Sequence, residues 1–197
     1  MTKIITIAAN KGGVAKSTTA TTVAAKLALL SYPTLLADFG PQGSCSTLLG
    51  RDPEPGITNL FDRNEPLANV VRHIETVPAL DLLPGNMDTR RSGNDKYKLD
   101  RSIQKTAQTF RDKLSGYQYT VIDTHPGDWY SELAICLADI LVMLKVILAS
   151  LCKGNIIPRS FSYTLFWAEA KQLSVKQRVI PSRRIYSPFD WDKVDIK

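Results

Sequence analysis

Five segments of the chain are almost continuously apolar, a pattern that predicts strands buried on both faces of a sheet. They span residues 4–9, 33–38, 79–85, 117–123 and 139–146. Longer segments with helical patterns lie among them, at residues 19–30, 97–114 and 129–138. Shorter helices are predicted at residues 44–50, 57–61 and 67–74. This order of elements predicts an α/β fold, in which a mostly parallel sheet carries helices on both faces.

The last quarter of the chain has a less regular pattern than the rest. We predict a helix at residues 162–173, a short strand at 178–180 and a tail from residue 187. The 197 residues, 44% of them hydrophobic, are enough for one globular domain with a sizeable core. We therefore expect residues 1–197 to form a single domain.

The turn between the first strand and the first long helix carries the most informative motif, Lys11-Gly12-Gly13-Val14-Ala15-Lys16-Ser17-Thr18. A strand, a glycine-bearing turn and a helix that starts near Lys-Ser are the setting of a phosphate-binding loop. Backbone N–H groups of such a turn converge on an anion, and the helix dipole adds a favourable potential. Lys16 is expected to neutralise phosphate charge, and the Ser17 hydroxyl to bind Mg²⁺. The alternative is an ordinary turn that happens to carry Lys-Ser.

The run Lys-Gly-Gly-Val-x-Lys-[Ser/Thr]-Thr, here residues 11–18, resembles the deviant Walker A motif of the ParA/MinD family of P-loop ATPases. The resemblance, which is closest to ParA-type partition ATPases, implies ATP and Mg²⁺ as cofactors and contacts to nucleotide from residues 11–18. It also implies that Lys11 reaches across an ATP-bound homodimer to the partner subunit's nucleotide. Ala15 stands where the common P-loop pattern has glycine, and its methyl group narrows the freedom of the backbone.

A second motif, Asp38-Phe39-Gly40-Pro41-Gln42-Gly43, closes the second predicted strand. It keeps all but one residue of the Asp-x-Asp-Pro-Gln-Gly that the family has at this place. The resemblance implies that Asp38 lies near the metal and acts in catalysis with Lys11 and Lys16. Gly40 matches the family's second Asp, which orients the attacking water. Because in-line attack needs its water held in place, we expect slow or impaired hydrolysis.

Asp123 ends the fourth predicted strand, and Asp123-Thr124-His125-Pro126-Gly127 is similar to the family's Walker B segment and its turn, usually Asp-x-Pro-Pro. An acid at the carboxyl end of a strand beside a P-loop suits Mg²⁺ coordination. The candidate metal residues are therefore Ser17, Asp38 and Asp123. The alternative role for Asp123 is to cap the helix that follows.

The net charge of +6 is concentrated in the last part of the chain. Residues 151–197 hold nine basic and four acidic side chains, and a second basic segment spans residues 90–113. Such a bias suits an acidic polymer, most simply DNA held through its phosphates without sequence preference. The candidate DNA-binding residues are Lys176, Arg178, Arg183 and Arg184. The alternative is that these clusters are only solvated helix faces.

Cysteine usage and the start of the chain favour the cytosol. Cys45, Cys136 and Cys152 are widely spaced and contain no C-x-x-C pair, so neither a disulfide framework nor a zinc site is indicated. We expect Cys136 and Cys152 to be buried structural thiols. Met1-Thr2-Lys3 leads straight into the first predicted strand without the pattern of a secretory leader. The apolar residues 133–151 include Asp139 and Lys145, so we do not expect a membrane span there.

Three functional hypotheses follow from these residues and from the family resemblance. The first is a ParA-like partition ATPase, cytoplasmic and nucleoid-associated, whose ATP-bound dimer binds DNA and whose hydrolysis is stimulated by a cargo-bound partner protein. The second keeps ATP-dependent DNA binding but lacks turnover, and Gly40 favours it. The third is a membrane-associated positioning ATPase like the MinD branch. The three Asp residues of segment 187–197 make that segment a poor anionic-lipid anchor. The resemblance covers about residues 1–150, which leaves 151–197 as a shortened or divergent part.

Overall fold

The structure of the protein is a computed structural model that describes residues 1–9, 13–86, 103–126, 128–147 and 162–169. Within these ranges the strands are β1 (Lys3–Ala8), β2 (Thr34–Asp38), β3 (Arg72–His73), β4 (Leu80–Leu83), β5 (Tyr119–Asp123), β6 (Ile140–Ile147) and β7 (Ser162–Glu169). The helices are α1 (Lys16–Leu29), α2 (Ser44–Leu48), α3 (Ile57–Phe61), α4 (Leu67–Val70), α5 (Ile103–Lys113) and α6 (Trp129–Leu137).

The strands of the described residues form one sheet with the order β3-β4-β2-β5-β1-β6-β7. The five central strands, β4, β2, β5, β1 and β6, are parallel, and the two edge strands run antiparallel to their neighbours. β5 lies between β1 and β2, so the ends of three strands that carry predicted site residues are adjacent. The predicted α/β fold with a mostly parallel sheet is confirmed.

Each face of the sheet is covered by helices, because neighbouring residues of a buried strand point to opposite sides. On one face α1 packs through the buried residues Ala20, Ala24, Leu27 and Ala28, against Leu36 and Val121 of the sheet. On the other face α3, α5 and α6 pack against Leu35, Ala37 and Ile122. The continuous apolar runs in the sequence reflect this burial on both faces.

An aromatic cluster on the second face holds the end of β2 in place. Phe39, which directly follows β2, is fully buried and packs against Phe61, Phe110 and Tyr130 with ring centroids 5.9–6.2 Å apart. Its backbone N–H also donates to the Asp123 carbonyl at 2.9 Å. These contacts fix the turn that begins at Asp38 relative to the end of β5.

Two predicted elements differ from the structure. The predicted helix at 162–173 is wrong over residues 162–169, which form β7 paired antiparallel with β6. This segment is rich in aromatic and β-branched residues, which favour strands, and a short apolar run does not distinguish the two states by periodicity. The predicted helix at 67–74 ends at Val70, because Val71 is extended (φ −78°, ψ 153°) and Arg72–His73 pairs with β4.

Several predictions lie outside the described residues. These are the loop residues Lys11 and Gly12, the first turns of the predicted helix at 97–114, residues 170–173 of the predicted helix at 162–173, the predicted strand at 178–180 and the tail from residue 187. The candidate DNA-binding residues Lys176, Arg178, Arg183 and Arg184 also lie outside them. They stay predictions, as does the single domain over residues 1–197.

Candidate functional site

The candidate site lies at the carboxyl edge of the parallel strands, where the turns after β1, β2 and β5 meet. In the sheet register Asp38, the last residue of β2, is directly opposite Asp123, the last residue of β5. Asp123 is in turn opposite Ile7 near the end of β1. Open parallel sheets place ligand sites in the crevice outside such strand ends.

The turn after β1 leads into α1 through two residues with left-handed backbone. Gly13 has φ +70°, and Ala15, the N-cap of α1, has φ 61° and ψ 29°. Val14 is buried between them and fixes the turn against the core. Lys16, Ser17 and Thr18 form the first turn of α1, whose backbone N–H groups have no intrahelical acceptor. The head of a fourteen-residue helix therefore faces the strand ends and suits an anion.

Ser17 joins this helix to the carboxylates of the strand ends. Its hydroxyl donates to Asp123 Oδ2. Asp38 accepts backbone N–H groups from Gly40 at Oδ1 and from Cys45 at Oδ2, both at 2.8 Å. The Cys45 thiol, from the first turn of α2, donates to Asp123 Oδ2 at 3.6 Å. The three predicted metal residues, Ser17, Asp38 and Asp123, are thus brought together.

Both carboxylates are buried, and their pKa values are perturbed. Burial, and then repulsion from Asp123, raises the pKa of Asp38 from 3.8 to about 7, against the hydrogen bonds that Cys45 and Gly40 donate. Burial also raises the pKa of Asp123, although hydrogen bonds from Ser17 and Cys45 and the charge of Lys16 oppose the shift. Perturbed carboxylates in a crevice are a common feature of functional sites.

The donor set fits Mg²⁺. Asp123 is 2% exposed, and its Oδ1 has no hydrogen-bond partner in the part of the chain that the structure describes. An unpartnered buried carboxylate oxygen is costly unless a cation or its water completes the shell. Hydroxyl and carboxylate oxygens are the ligands that Mg²⁺ prefers. Ser17 and Asp123 would hold the ion, with Asp38 beside them.

The alternative role of Asp123 as a helix cap is wrong. The N-cap of α6 is Asp128, whose Oδ1 accepts the backbone N–H of Ser131 at 2.8 Å. Asp123 is instead the last residue of β5 and directs its carboxylate to Ser17 and Cys45.

Gly40, where the family resemblance implies an acid, has little space for a side chain. A Cβ atom at this position would lie 3.0 Å from Asp38 Oδ1 and 4.0 Å from His125 Cβ. His125 is partly exposed, with its Nδ1 4.0 Å from Asp128 Oδ2. The Cβ atom of His125 is therefore the second side-chain atom in reach of a Cβ at position 40.

Gly85 is a site residue that the sequence analysis did not identify. A Cβ atom on Gly85 would lie 2.3 Å from the Gly40 carbonyl oxygen and 2.8 Å from that of Asp38. Only glycine allows two backbone segments to lie this close together. The segment that follows β4 thereby packs against the Asp38–Gly40 turn and supports it. The Pro84-Gly85 dipeptide was a signal of chain reversal, but nothing in the sequence indicates what packs against it.

Cys45 is the second residue whose place was not predicted. Cys45 is 0% exposed and lies within the carboxylate cluster. The expectation of a buried thiol at Cys136 is wrong, because Cys136 is exposed at the surface of α6, and Cys152 lies outside the described residues. No helix of the described residues combines the length and the apolar character needed to cross a membrane.

Comparisons with known proteins show which family and fold this chain resembles. The family model described as AAA domain matches residues 2–152. The chain is 30% identical over 164 residues to a putative replication protein A of Rhizobium rhizogenes, covering 73% of this chain and 40% of that protein. It is 33% identical over 134 residues to the chromosome partitioning protein ParA of Caulobacter vibrioides, covering 64% and 48%.

Among solved structures, a putative plasmid partition protein from Borrelia burgdorferi B31 bound to AMPPNP superposes with a TM-score of 0.62 at 28% identity. The match covers 73% of this chain and 61% of that one. The chain thus spans about half or less of the length of the two curated relatives.

Proposed function

The chain belongs to the AAA domain family and, within it, to the ParA/MinD group of P-loop proteins, and from this premise we propose that it is a partition-type ATPase. In this proposal it binds ATP with Mg²⁺ and hydrolyses it slowly. The bound nucleotide switches an ATP-dependent homodimer that holds DNA and positions a plasmid, a chromosome region or another cargo.

The observation that carries the proposal is the convergence of Ser17, Asp38 and Asp123 at the head of α1. Ser17 and Asp123 are 106 residues apart in sequence and are hydrogen-bonded. Asp123 retains an unpartnered oxygen among the described residues. A helix N-terminus for phosphate and buried oxygens for a hard cation are the two halves of a nucleotide–metal site.

The remaining residues of the loop take the roles that the family resemblance implies. The backbone of Gly12, Gly13, Val14 and Ala15 and the first turn with Thr18 would hold the phosphates. Lys16 would neutralise the β- and γ-phosphates, and Lys11 would reach the partner subunit's nucleotide. Mg²⁺ would compensate phosphate charge when bound, and Asp38 would lie near the ion and its waters.

DNA binding is proposed on charge alone. Residues 151–197 carry nine basic against four acidic side chains, including Lys176, Arg178, Arg183 and Arg184. Contacts of this kind address the phosphates and give no sequence preference, so the affinity should fall steeply as salt rises. A nucleoid location and release by a stimulating partner protein complete the proposed cycle.

Calorimetry of ATP binding in the presence of Mg²⁺ tests the proposal. Lys16→Ala should abolish the binding signal, because it removes the cation at the phosphate site. Lys26→Ala is the matched control, since Lys26 is an exposed lysine in the last turn of the same helix and should leave binding unchanged. Absence of binding by the unmodified protein, or equal binding by the Lys16 variant, would overturn the proposal.

A second candidate, an ATP-dependent DNA-binding scaffold without turnover, is favoured by Gly40. Phosphate release with DNA and Mg²⁺ separates the two candidates when Lys16→Ala serves as the background. Gly40→Asp should raise release by about tenfold, because it returns a carboxylate that can hold water. Gly40→Ala is the control for the close approach to Asp38 Oδ1 and should not raise release.

The two candidates differ in the unmodified protein. Release above the Lys16→Ala background supports the partition ATPase. Release that appears only in Gly40→Asp supports the scaffold, in which nucleotide binding alone acts as the switch.

A further inference from the structure

Three segments of the chain meet next to Asp38 with their backbones in close approach. A Cβ atom on Gly85 would lie 2.9 Å from Asp38 Cγ. A Cβ atom on Gly43 would lie 2.8 Å from the Gly85 carbonyl oxygen, and one on Gly56 would lie 2.7 Å from the Pro84 carbonyl oxygen. The turn after β2, the loop before α3 and the segment after β4 therefore pack against one another through backbone atoms at these glycines.

The side chain of Asn86 joins two of these segments by hydrogen bonds. Asn86 is buried, and its Nδ2 donates to Thr58 Oγ1 at 2.8 Å and to Glu54 Oε1 at 3.2 Å. The Thr58 hydroxyl, which is also buried, donates to Asn86 Oδ1 at 3.0 Å. The backbone N–H of Ile57 donates to the Pro84 carbonyl at 2.8 Å. These bonds fix the start of α3 to the segment after β4.

A buried amide whose donor and acceptor are both paired has few alternative arrangements, because breaking one bond leaves its partner unsatisfied. The backbone of Gly85 lies between Asn86 and the Asp38–Gly40 turn, and a Cβ atom on it would lie 2.3 Å from the Gly40 carbonyl oxygen. Contact this close transmits a displacement of the segment after β4 to the turn. The turn in turn fixes the carboxylate, because Asp38 accepts the backbone N–H groups of Gly40 and Cys45.

We propose that Asn86 is a positioning residue of the site: together with Thr58 it holds Gly85 against the Asp38–Gly40 turn and so fixes the Asp38 carboxylate. Its effect on turnover rests on the proposed function, in which Asp38 lies near the metal ion and its waters. Its effect on the turn does not rest on that function and is measured without nucleotide.

Amide hydrogen exchange of the nucleotide-free protein, followed by NMR, tests the effect on the turn. The N–H groups of Gly40 and Cys45, which donate to the site carboxylate, report opening of the turn. The N–H of Ile4, which donates to a carboxylate at the opposite edge of the sheet, is the internal reference. Asn86→Ala should speed exchange at the first two groups about tenfold relative to Ile4, because the Thr58 hydroxyl loses its partner.

Matched variants separate the network from general loss of packing. Thr58→Val keeps the shape of the side chain but removes the hydroxyl, so it should raise the exchange ratio, whereas Thr58→Ser keeps the hydroxyl and should restore it. Asn59→Ala is the control, because Asn59 is a buried asparagine that bonds the Gly56 N–H and Glu65, both close to α3. It should leave the ratio unchanged. Circular dichroism melts establish that each variant is folded.

Phosphate-release kinetics test the effect on turnover under the proposed function. Asn86→Ala and Thr58→Val should lower kcat about tenfold, because a small displacement of a group at the reacting centre is costly. The KM for ATP should stay within about twofold, since the phosphate-binding turn is untouched. Thr58→Ser should retain the unmodified kcat. A purely structural role would lower the folded fraction and leave turnover per folded molecule as it was.

An exchange ratio that folded Asn86→Ala and Thr58→Val leave unchanged would overturn the proposal, as would an equal rise in Asn59→Ala. Turnover per folded molecule that neither variant lowers would also overturn it. Absence of turnover in the unmodified protein would reject the proposed function alone, and the exchange ratio would then decide whether Asn86 positions Asp38.

Discussion

Two aspartates lie at opposite ends of the central strands of the sheet, Asp139 at the amino edge and Asp123 at the carboxyl edge. Asp139 directly precedes β6 at the amino edge, and its carboxylate receives both guanidinium nitrogens of Arg111, at 3.1 and 3.2 Å. Its Oδ2 also accepts the backbone N–H of Ile4 at 2.8 Å. Arg111 additionally donates to the Leu137 carbonyl at 2.6 Å. The charge of the Asp139 carboxylate is therefore neutralised within the protein, by Arg111.

The carboxyl edge is arranged differently. Asp38 and Asp123 face each other, and their hydrogen bonds from backbone, hydroxyl and thiol groups do not offset their burial. Their pKa values are therefore raised, and one Asp123 oxygen lacks a partner among the described residues. The Asp139 carboxylate, which serves stability, has a cation and hydrogen-bond donors. Asp38 and Asp123, in contrast, are costly to ionise without a cation. This difference distinguishes an aspartate with a structural role from the two aspartates of the candidate functional site.

The largest expected effect is the loss of turnover in Asp123→Asn. Under the proposed function, phosphate release should fall about 1,000-fold, because an oxygen that would hold the cation is lost. The stability of the nucleotide-free protein should not fall, since a buried charge is removed. Phosphate-release kinetics and urea unfolding measure the two quantities.

Asp139→Asn is the matched control for this variant. Asp139→Asn should lower the free energy of unfolding and leave turnover per folded molecule near that of the unmodified protein. The carboxylate that it removes lies at the other edge of the sheet. The comparison fails if Asp123→Asn destabilises the protein as much as Asp139→Asn does.

The pH dependence of stability should be the next largest effect. Between pH 4 and 7 the native state retains a proton on Asp38, whose pKa is raised from 3.8 to about 7, while the unfolded state has released it. The native state then binds more protons than the unfolded state, so stability falls as pH rises. The contribution lost is roughly 2–4 kcal/mol.

Urea unfolding of the unmodified protein and of Asp38→Asn, at pH 4 and pH 7.5, separates the titration of the Asp38–Asp123 pair from that of the rest of the protein. The difference in free energy of unfolding between the two proteins should change by that amount in favour of the variant at the higher pH. A difference that does not vary with pH would mean that the pKa of Asp38 is not raised in the native state.

Arg111→Met should cost about 2–3 kcal/mol of stability. It leaves the Asp139 carboxylate with the Ile4 N–H but without its cation, and both side chains are only about a quarter exposed. ATP binding should not change, because the Arg111–Asp139 pair is distant from the candidate site. Ile4 contacts Asp139 and Ile7 lies opposite Asp123, and three residues of a strand span about 10 Å. Arg51→Met is the control: its pair with Glu75 is at the surface and should contribute nothing measurable.

The fold and the principal site residues could be predicted because each is indicated by a pattern among neighbouring residues in the sequence. Buried parallel strands read as continuous apolar runs, and Ser17, Asp38 and Asp123 each lie beside a strand end or turn that is recognisable on its own. Parallel strand ends share one edge, so their convergence follows from the fold class. The roles of these residues in binding nucleotide and metal remain predictions.

What could not be predicted depends on contacts between distant segments. Cys45 and Asp123 are 78 residues apart, and Cys45 reaches the cluster only because α2 turns back onto the strand ends. Gly85 contacts Gly40 through backbone atoms alone, which leaves no pattern in the sequence. The β7 strand was predicted as a helix because its pairing with β6 decides a segment whose own periodicity is ambiguous.

The smallest expected effect concerns strain in the loop that carries the site. Ala15 has left-handed backbone (φ 61°), which costs a non-glycine residue about 1 kcal/mol. Ala15→Gly should therefore raise the free energy of unfolding by about 0.5 kcal/mol, since the greater freedom of glycine in the unfolded chain offsets part of the gain. Urea unfolding without nucleotide measures this change.

Gly13→Ala is the mirror experiment at the same loop. Gly13 has φ +70°, and a Cβ atom there would meet no atom of the described residues within 4 Å, so the cost of a side chain is conformational. Stability should fall by about 1 kcal/mol. Because both variants leave the carboxylates untouched, neither should alter the pH dependence that Asp38 confers. A gain of stability in Ala15→Gly together with a loss in Gly13→Ala would place the strain in the turn between β1 and α1. A loss of stability in Ala15→Gly would show that the alanine methyl makes a contact that outweighs the strain.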